Sequence, residues 1–349
     1  MAKFRTEPPA APTARVGVLL CNLGTPEAPT AQALRPYLAE FLSDPRVIEL
    51  PAALWRPILH GVILRTRPAK SAEKYRSIWT PEGSPLAVWT EKQATLLRGY
   101  LAQRGLDLRV RHAMRYGRPQ VAAELDQLKA EGCDRILVLP LYPQYAASTV
   151  GSVMDAVAGW MRSTRSVPEL RLVRDFCTDA RYITALAQSV TQHWQQAGRP
   201  DKLLMSFHGV PKRMIDLGDP YQQQCRQTAA QLASRLGLAE DEWLLSFQSR
   251  FGPAKWIGPA TDATLEELGK TGLGRLDVIC PGFVSDCLET LEEIAMEGKE
   301  IFEKAGGKQL RYIPCLNDRP AWIHALADLV QTQTQGWPVV RQDGSAAAT

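Results

Sequence analysis

The sequence predicts an α/β protein of two similar doubly wound, Rossmann-like lobes, each built on a parallel sheet, with a cleft between them. Three observations carry this. Short β-branched or leucine-rich runs end repeatedly at Gly, Pro, Ser or Asn corners, the pattern of strands buried on both faces. Amphipathic stretches of helical period fill the gaps, and alternation of strand with helix favours parallel sheets with right-handed crossovers. Four strand candidates lie before residue 178 and four after it, and in both halves the first and third end in the loops richest in polar residues and glycine. Open α/β sheets bind ligands at such carboxyl ends.

In chain order, Val16–Leu20 runs into CNLGTPEAP, Leu108–His112 is a weaker strand, and Val121–Ala130 is helical. Ile136–Leu139 runs into PLYPQYAAST and Leu170–Val173 closes the first half. In the second half a helix over Ala180–Trp194 precedes Leu203–Ser206, which runs into FHGVP. A helix over Tyr221–Leu236, a strand at Leu244–Phe247 and the strand Val278–Cys280, running into PGFVSDCLET, come next. A helix over Leu288–Lys304 and the strand Leu310–Ile313 complete the set. The division expected is a flexible N-terminus at 1–15, lobes at 16–178 and 179–335, and a frayed tail at 336–349.

Composition agrees with this architecture. The 349 residues suit about two domains, and 45% hydrophobic with 22% charged is ordinary for a chain with a sizeable core. Basic and acidic groups number 41 and 37, and a net charge of +4 spread evenly argues against a nucleic-acid partner. The 25 prolines suit many strand-to-loop corners. Seven cysteines at irregular spacing, with no CxxC pair, read as reduced thiols in a cytoplasmic protein. The N-terminal MAKFRTEPPAAPTAR lacks the apolar stretch of a secretory signal, and no run of apolar residues reaches membrane-spanning length.

Several chemistries are excluded by missing motifs. No GxGxxG follows a strand, no GxxxxGK[ST] exists, and LGTP offers one glycine, too few for a pyrophosphate to approach the backbone. There is no GxSxG nucleophile elbow. His208, in SFHGVP, sits at the carboxyl end of a central strand, a position that suits catalysis or simple packing. His60, His112, His193 and His324 have plainer settings and read as structural or surface residues.

Glu289, Glu293 and Glu297 are spaced i, i+4, i+8, one face of a helix whose start, SDCLETLEE, gives Asp286 and Glu289 the spacing of a capping box. With Leu288, Leu291 and Ala295 opposite, periodicity alone makes that acidic face solvated; the competing reading is a carboxylate ladder along a wet cleft. Tyr142, Tyr145, Trp256 and Phe283 lie at strand-end loops; each singly reads as core, and together, where the ends converge, they would line a flat apolar cavity. Arg76, Arg115 and Tyr116 are polar groups suited to meeting carboxylates at its rim. In Leu54–Lys70, apolar residues at helical spacing (Leu54, Ile58, Val62) are flanked by Arg56, Arg65, Arg67 and Lys70. That pattern fits peripheral contact with an anionic membrane surface, or an ordinary helix packed on its own lobe.

These loops resemble the ferrochelatase family, the terminal enzymes of haem synthesis. The matching segments are LLCNLGTPEAP, KYRSIWTPEGSPLAVWT, RYGRP, LPLYPQYAAST, SFHGVP with GDPY downstream, FQSRFGPAKWIGPATD and PGFVSDCLETLEEIAMEG, in family order from about residue 16 to 330. The resemblance implies insertion of Fe²⁺ into protoporphyrin IX with release of two protons and no nucleotide or redox cofactor. It implies that His208 is the catalytic histidine, Glu289 the facing carboxylate, and Glu293 and Glu297 an acidic path to the site. Here it overrules the solvated face. A neutral imidazole suits acceptance of pyrrole protons, and imidazole with carboxylates suits transient Fe²⁺ ligation. Packing by Trp256, Phe283 and the tyrosines would buckle the ring towards the metal.

Three departures refine this. Cys287 stands where the animal enzymes have histidine, which removes one ligand. Ala147 replaces the cysteine that cluster-bearing members carry within YPQYxxST, and no cysteine follows Cys315, so no iron–sulfur cluster is expected. Leu23 stands where coproporphyrin-using members have tyrosine, which favours protoporphyrin and makes Leu23 a substrate contact. A non-catalytic haem or porphyrin carrier would need the cavity but not the His208–Glu289 pair. A cobalt chelatase of the corrin pathway would share the histidine but often adds a His-rich loop. The expectation is a cytoplasmic protein, with a monomer favoured over an oligomer and Leu54–Lys70 open to peripheral contact with the inner face of the membrane.

Overall fold

The computed structural model describes residues 15–339 apart from Pro253. Its strands form two four-stranded sheets in which every pairing is parallel. The first holds β1 (Arg15–Gly24), β2 (Leu108–Tyr116), β3 (Cys133–Pro140) and β4 (Glu169–Leu172) in the order β2-β1-β3-β4. The second holds β5 (Lys202–His208), β6 (Trp243–Gln248), β7 (Arg275–Ile279) and β8 (Gln309–Tyr312) in the order β6-β5-β7-β8. All eight expected strands are present, and the permutation is the same in both halves. The first and third strands of each half are therefore neighbours, with the strand order reversing between them. That reversal opens the crevice at their carboxyl ends.

Helices α1 (Ala31–Leu42), α2 (Ala52–Ile58), α3 (Leu64–Ile78) and α4 (Pro85–Gln103) connect β1 to β2, and α5 (Val121–Ala130) and α6 (Ser152–Ser163) flank β3. In the second half α7 (Ala180–Ala197) leads into β5. Helices α8 (Lys212–Asp216), α9 (Tyr221–Leu236) and α10 (Thr261–Lys270) follow it. The helix expected over Leu288–Lys304 is not uniform. It is α-helical at α11 (Leu288–Thr290), π-helical over Leu291–Gly298, and α-helical again at α12 (Lys299–Lys304). Helix α13 (Pro320–Gln333) packs on both α4 and α7, so it bridges the halves.

Strand period 2 sorts the core. From β1, Val16, Val18 and Leu20 point one way and Leu19 and Cys21 the other, into two separate apolar clusters. The first cluster does not stop at its own sheet. It continues through Tyr182 and Ile183 of α7 and Trp322 of α13 to Leu203, Met205 and Phe207 of β5. Within it Phe176 stacks on Trp322 (ring centroids 5.9 Å apart) and meets Tyr182 edge-on (5.4 Å). The Tyr182 hydroxyl donates to the Pro281 carbonyl and so ties α7 to the loop after β7.

The tail expected to fray from residue 336 stays attached as far as residue 339. Trp337 is buried, its indole donates to Glu169 (2.8 Å) and Arg171 lies over its ring at 4.2 Å. Asp107 N–H donates to the Val339 carbonyl. An apolar and aromatic residue at the end of a chain still docks when a groove and a cation await it. The expected flexible N-terminus falls outside the described residues except for Arg15, which already opens β1.

One buried charge pair secures the far end of the second sheet. Asp277, fully buried on β7, accepts from Arg311 Nε (2.6 Å) and Nη2 (2.8 Å) and from the Trp194 indole (2.8 Å). Arg311 also donates to the Ala197 and Gly198 carbonyls, capping α7. Asp277→Ala leaves that guanidinium uncompensated and is expected to cost about 3–5 kcal/mol. Urea denaturation checks this; a loss below about 1 kcal/mol, the worth of a surface pair, contradicts it.

Candidate active site

His208 is the last residue of β5, in register with Gln248, the last of β6. Its Nδ1 lies 2.6 Å from the Gly209 carbonyl oxygen. A carbonyl oxygen can only accept, so Nδ1 carries a proton and Nε2 is the ring nitrogen whose lone pair the neutral tautomer would present. Nε2 has no protein partner among the described residues. Gly209 has no room for a side chain, since a Cβ there would lie 2.7 Å from the Gln248 carbonyl and 3.2 Å from the Trp256 ring. This close approach seats Trp256 beside the histidine, and Phe283 approaches from β7's loop with its ring 6.5 Å from the imidazole.

The turn after β7 is pinned by Asp286. Buried, it accepts from the Tyr312 hydroxyl (2.5 Å), Asn317 Nδ2 (2.6 Å), Thr290 Oγ1 (3.1 Å) and the Cys315 N–H (3.3 Å). It is not the helix cap that its spacing predicted. The capping box lies one residue later, between Cys287 and Thr290, because Asp286's oxygens are consumed by the turn itself.

The π winding redistributes the carboxylates. In a π-helix residues five apart align, and Glu292 and Glu297 both reach Lys74 of α3, at 2.9 and 3.3 Å. Glu293 instead turns inward, accepting from the Ser249 hydroxyl and lying 3.5 Å from Gln248 Nε2. Burial, then the charge of Glu289, pushes the Glu293 carboxyl up to about 7. Glu289 and Glu293 thus form one electrostatic unit, while Glu297 is exposed and paired elsewhere. The four expected metal-handling residues are no preassembled set. Among the described residues no three His, Cys, Asp or Glu side chains converge as a metal site.

The first lobe supplies the opposite wall. Leu34, Tyr37, Tyr75 and Tyr116 form an apolar cluster, with Leu23, Trp79 and the second lobe's Leu288 and Leu291 packed against it. Gly24 lets this wall form, because its φ of +112° and its contact with Tyr116 O leave no space for a Cβ. Glu289 raises the pKa of Tyr75 after burial does, and the Tyr142 phenol, also pushed up by burial, is a buried hydroxyl with no partner. Arg115 and Tyr116 are not loose rim groups. Arg115 donates to Asp44 (2.6 Å) and to Ser152 (2.6 Å), and the fully buried Tyr116 donates to Asp44 (2.8 Å). Arg76 is exposed on α3. Trp256 donates to the Phe251 carbonyl (3.0 Å), and Arg67 of the first lobe lies over the Phe251 ring at 5.5 Å.

Lys74, Glu292 and Gln248 are not singled out by the sequence, and Asp286 is singled out there only as a cap. Gln248 lies inside a segment that the family resemblance covers, FQSRFG, but an amide carries no charge or periodicity to draw attention.

The Glu293 carboxyl gives a pH prediction. Its folded pKa, about 7, lies above the ordinary 4.5. As pH rises between these values, the folded protein retains a proton that the unfolded chain has already released, so stability declines through this window. Glu293→Gln removes the penalty, and its gain in Tm over the parent should be larger at about pH 8 than at about pH 5. An equal change at both pH values would show an unperturbed carboxyl.

Comparison with known proteins follows the same lines. The family model "Ferrochelatase" matches residues 15–334. The ferrochelatase of Polaromonas sp. strain JS666 is 59% identical over 332 residues, covering 95% of this chain and 90% of that protein. That of Methylibium petroleiphilum is 60% identical over 333 residues, covering 95% and 92%. Among solved structures, SirB from Bacillus subtilis with Fe³⁺ shares the fold, with a TM-score of 0.55 at 13% identity over 92% of this chain and 96% of that one. Two parallel sheets of one permutation, a histidine and carboxylates at their shared ends, and this degree of identity lead to one conclusion: the chain belongs to the ferrochelatase family.

Proposed function

We propose that this chain inserts Fe²⁺ into protoporphyrin IX through His208 and Glu289. The observation that carries the reading is a bare imidazole Nε2 at the strand ends where Gln248 also holds the Glu289 backbone (Gln248 Nε2 to Glu289 O, 2.6 Å). In the reaction two pyrrole N–H bonds break, the porphyrin nitrogens bind iron, and two protons leave without any change of oxidation state. His208 Nε2 accepts a pyrrole proton, and Glu289 stabilises the resulting imidazolium. Glu293, titrating near neutrality, passes protons on. The macrocycle lies between the wall of Leu23, Tyr75 and Tyr142 and that of Trp256 and Phe283. Ala147, where a cluster-bearing chain would need a cysteine, supports function without an iron–sulfur cluster.

Among the described residues no helix is long and apolar enough to cross a membrane. The stripe on α2 and the π-helical turn that follows it (Leu59–Ile63), namely Leu54, Ile58 and Val62, is 66%, 46% and 55% exposed, with Arg56 and Arg65 exposed in the same stretch. An apolar stripe turned outward between cations supports a chain that rests on an anionic bilayer, and we propose that it does so as a cytoplasmic monomer.

Anaerobic mixing with Fe²⁺ and protoporphyrin IX, followed by absorbance, should show turnover that falls about 10²–10⁴-fold in His208→Ala. Porphyrin binding without turnover in the parent would indicate a carrier. Activity with Co²⁺ and a corrinoid precursor alone would indicate the cobalt enzyme. Cosedimentation with vesicles of 30% anionic lipid, roughly the charge of a bacterial inner leaflet, should be lost on Leu54→Asp/Ile58→Asp and in high salt. No binding at low salt rejects membrane contact.

A further inference from the structure

A chain of buried hydroxyls runs beneath the site and ends on the carboxylate helix. Ser246 Oγ lies 2.8 Å from Thr261 Oγ1, Thr261 Oγ1 lies 2.9 Å from Ser206 Oγ, and Ser206 Oγ donates to Gln248 Oε1 (2.7 Å). All four residues are buried: Ser206 and Ser246 are fully enclosed and Gln248 is 4% exposed. Each hydroxyl has a single proton. Ser206 uses its own on Gln248, so Thr261 must donate to Ser206, and Ser246 must donate to Thr261. The donors all point one way, which strengthens each successive bond. The Gln248 oxygen is thereby committed, and the Cys280 thiol also faces it at 3.7 Å. Only the Nε2 side of the amide can face the helix, where it donates to Glu289 O (2.6 Å) and lies 3.5 Å from Glu293 Oε2.

The bond to Glu289 O falls one residue before the α-to-π junction, where the change of winding disturbs the regular carbonyl ladder. On its backbone side the same glutamine is tied to the histidine. It pairs in register with His208, and its carbonyl accepts from Gly209 N–H (2.8 Å).

We propose that Gln248 is a positioning residue for metal insertion: its amide, oriented by the Ser246–Thr261–Ser206 hydroxyl chain, fixes the separation between the His208 imidazole and the Glu289 carboxylate. This rests on the proposed roles of that pair. Gln248 bridges the two elements that carry them, through its backbone on one side and its side chain on the other. The Glu289 carbonyl can only accept and so takes Nε2, while Ser206, fully enclosed, acts only by holding the amide oxygen and thereby locking that orientation.

The test uses steady-state kinetics of the full chain with Fe²⁺ and protoporphyrin IX. Gln248→Leu is expected to lower kcat about 10- to 100-fold, the scale of an ångström-sized misplacement, while KM for porphyrin stays within about twofold. Ser206→Ala frees the amide to rotate and should lower kcat several-fold. Combined with Gln248→Leu it should cost nothing further, a non-additivity that general destabilisation does not produce. Losses that multiply in the double variant, or unchanged kcat in Gln248→Leu, overturn the proposal. Should Gln248→Leu fail to fold, Ser206→Ala alone decides, because an unchanged kcat there removes the orienting chain. Glu289→Gln run alongside separates the two levels. If it is fully active, the assumed pair is wrong; if it is inactive while Gln248→Leu is active, only the positioning role fails.

Discussion

The two sheets share one apolar core, and the site depends on that sharing. Val16, Val18 and Leu20 of β1 and Leu203, Met205 and Phe207 of β5 belong to a single cluster, joined through α7 and α13. Packed interiors shift poorly, since small gaps already forfeit dispersion contacts. The sheets are consequently held at one spacing, and the strand ends of both halves open on a gap of fixed width. A rigid, planar substrate benefits from such a gap more than a flexible one would. The Tyr182 bond to Pro281 carries the same rigidity from the core into the turn that presents Glu289.

Polar groups then do locally what the core does globally. Asp286 gathers four donors to set the turn, the Asp44 carboxylate gathers Arg115, Tyr116 and Ser152 to set the opposite wall, and Gln248 joins strand to helix. Each would be costly to bury unsatisfied. Their satisfaction leaves few polar groups uncommitted among the described residues, His208 Nε2 and the Tyr142 hydroxyl among them.

Much of this was legible in the sequence. All eight strands were readable because buried parallel strands are short apolar runs closed by turn residues. The helices Val121–Ala130 and Tyr221–Leu236 have the boundaries their patterns suggest. The carboxylate helix was misread as uniform, because α and π windings differ too little over eight residues for apolar spacing to separate them. The π winding is what turns Glu292 and Glu297 together toward Lys74, an alignment that a uniform α-helix does not suggest. Arg115 and Tyr116 were read as rim groups because their partner Asp44 lies 71 positions away from Arg115, beyond any local pattern. The apolar stripe at Leu54, Ile58 and Val62 was visible, but its outward orientation was not, because periodicity gives a face without saying what the face meets.

The seven cysteines have a consequence that their scatter conceals. All are free and buried, and burial pushes their thiols up, Cys177 to about 11 and Cys133 to about 12. Only the thiolate binds metal tightly or reacts readily with oxidants. A protein that handles ferrous iron gains from offering no accessible thiolate to softer metals. By keeping its soft ligands protonated and enclosed, it leaves hard oxygen and imidazole donors as the accessible ones, so metals that favour sulfur find no resting place on the way to the porphyrin.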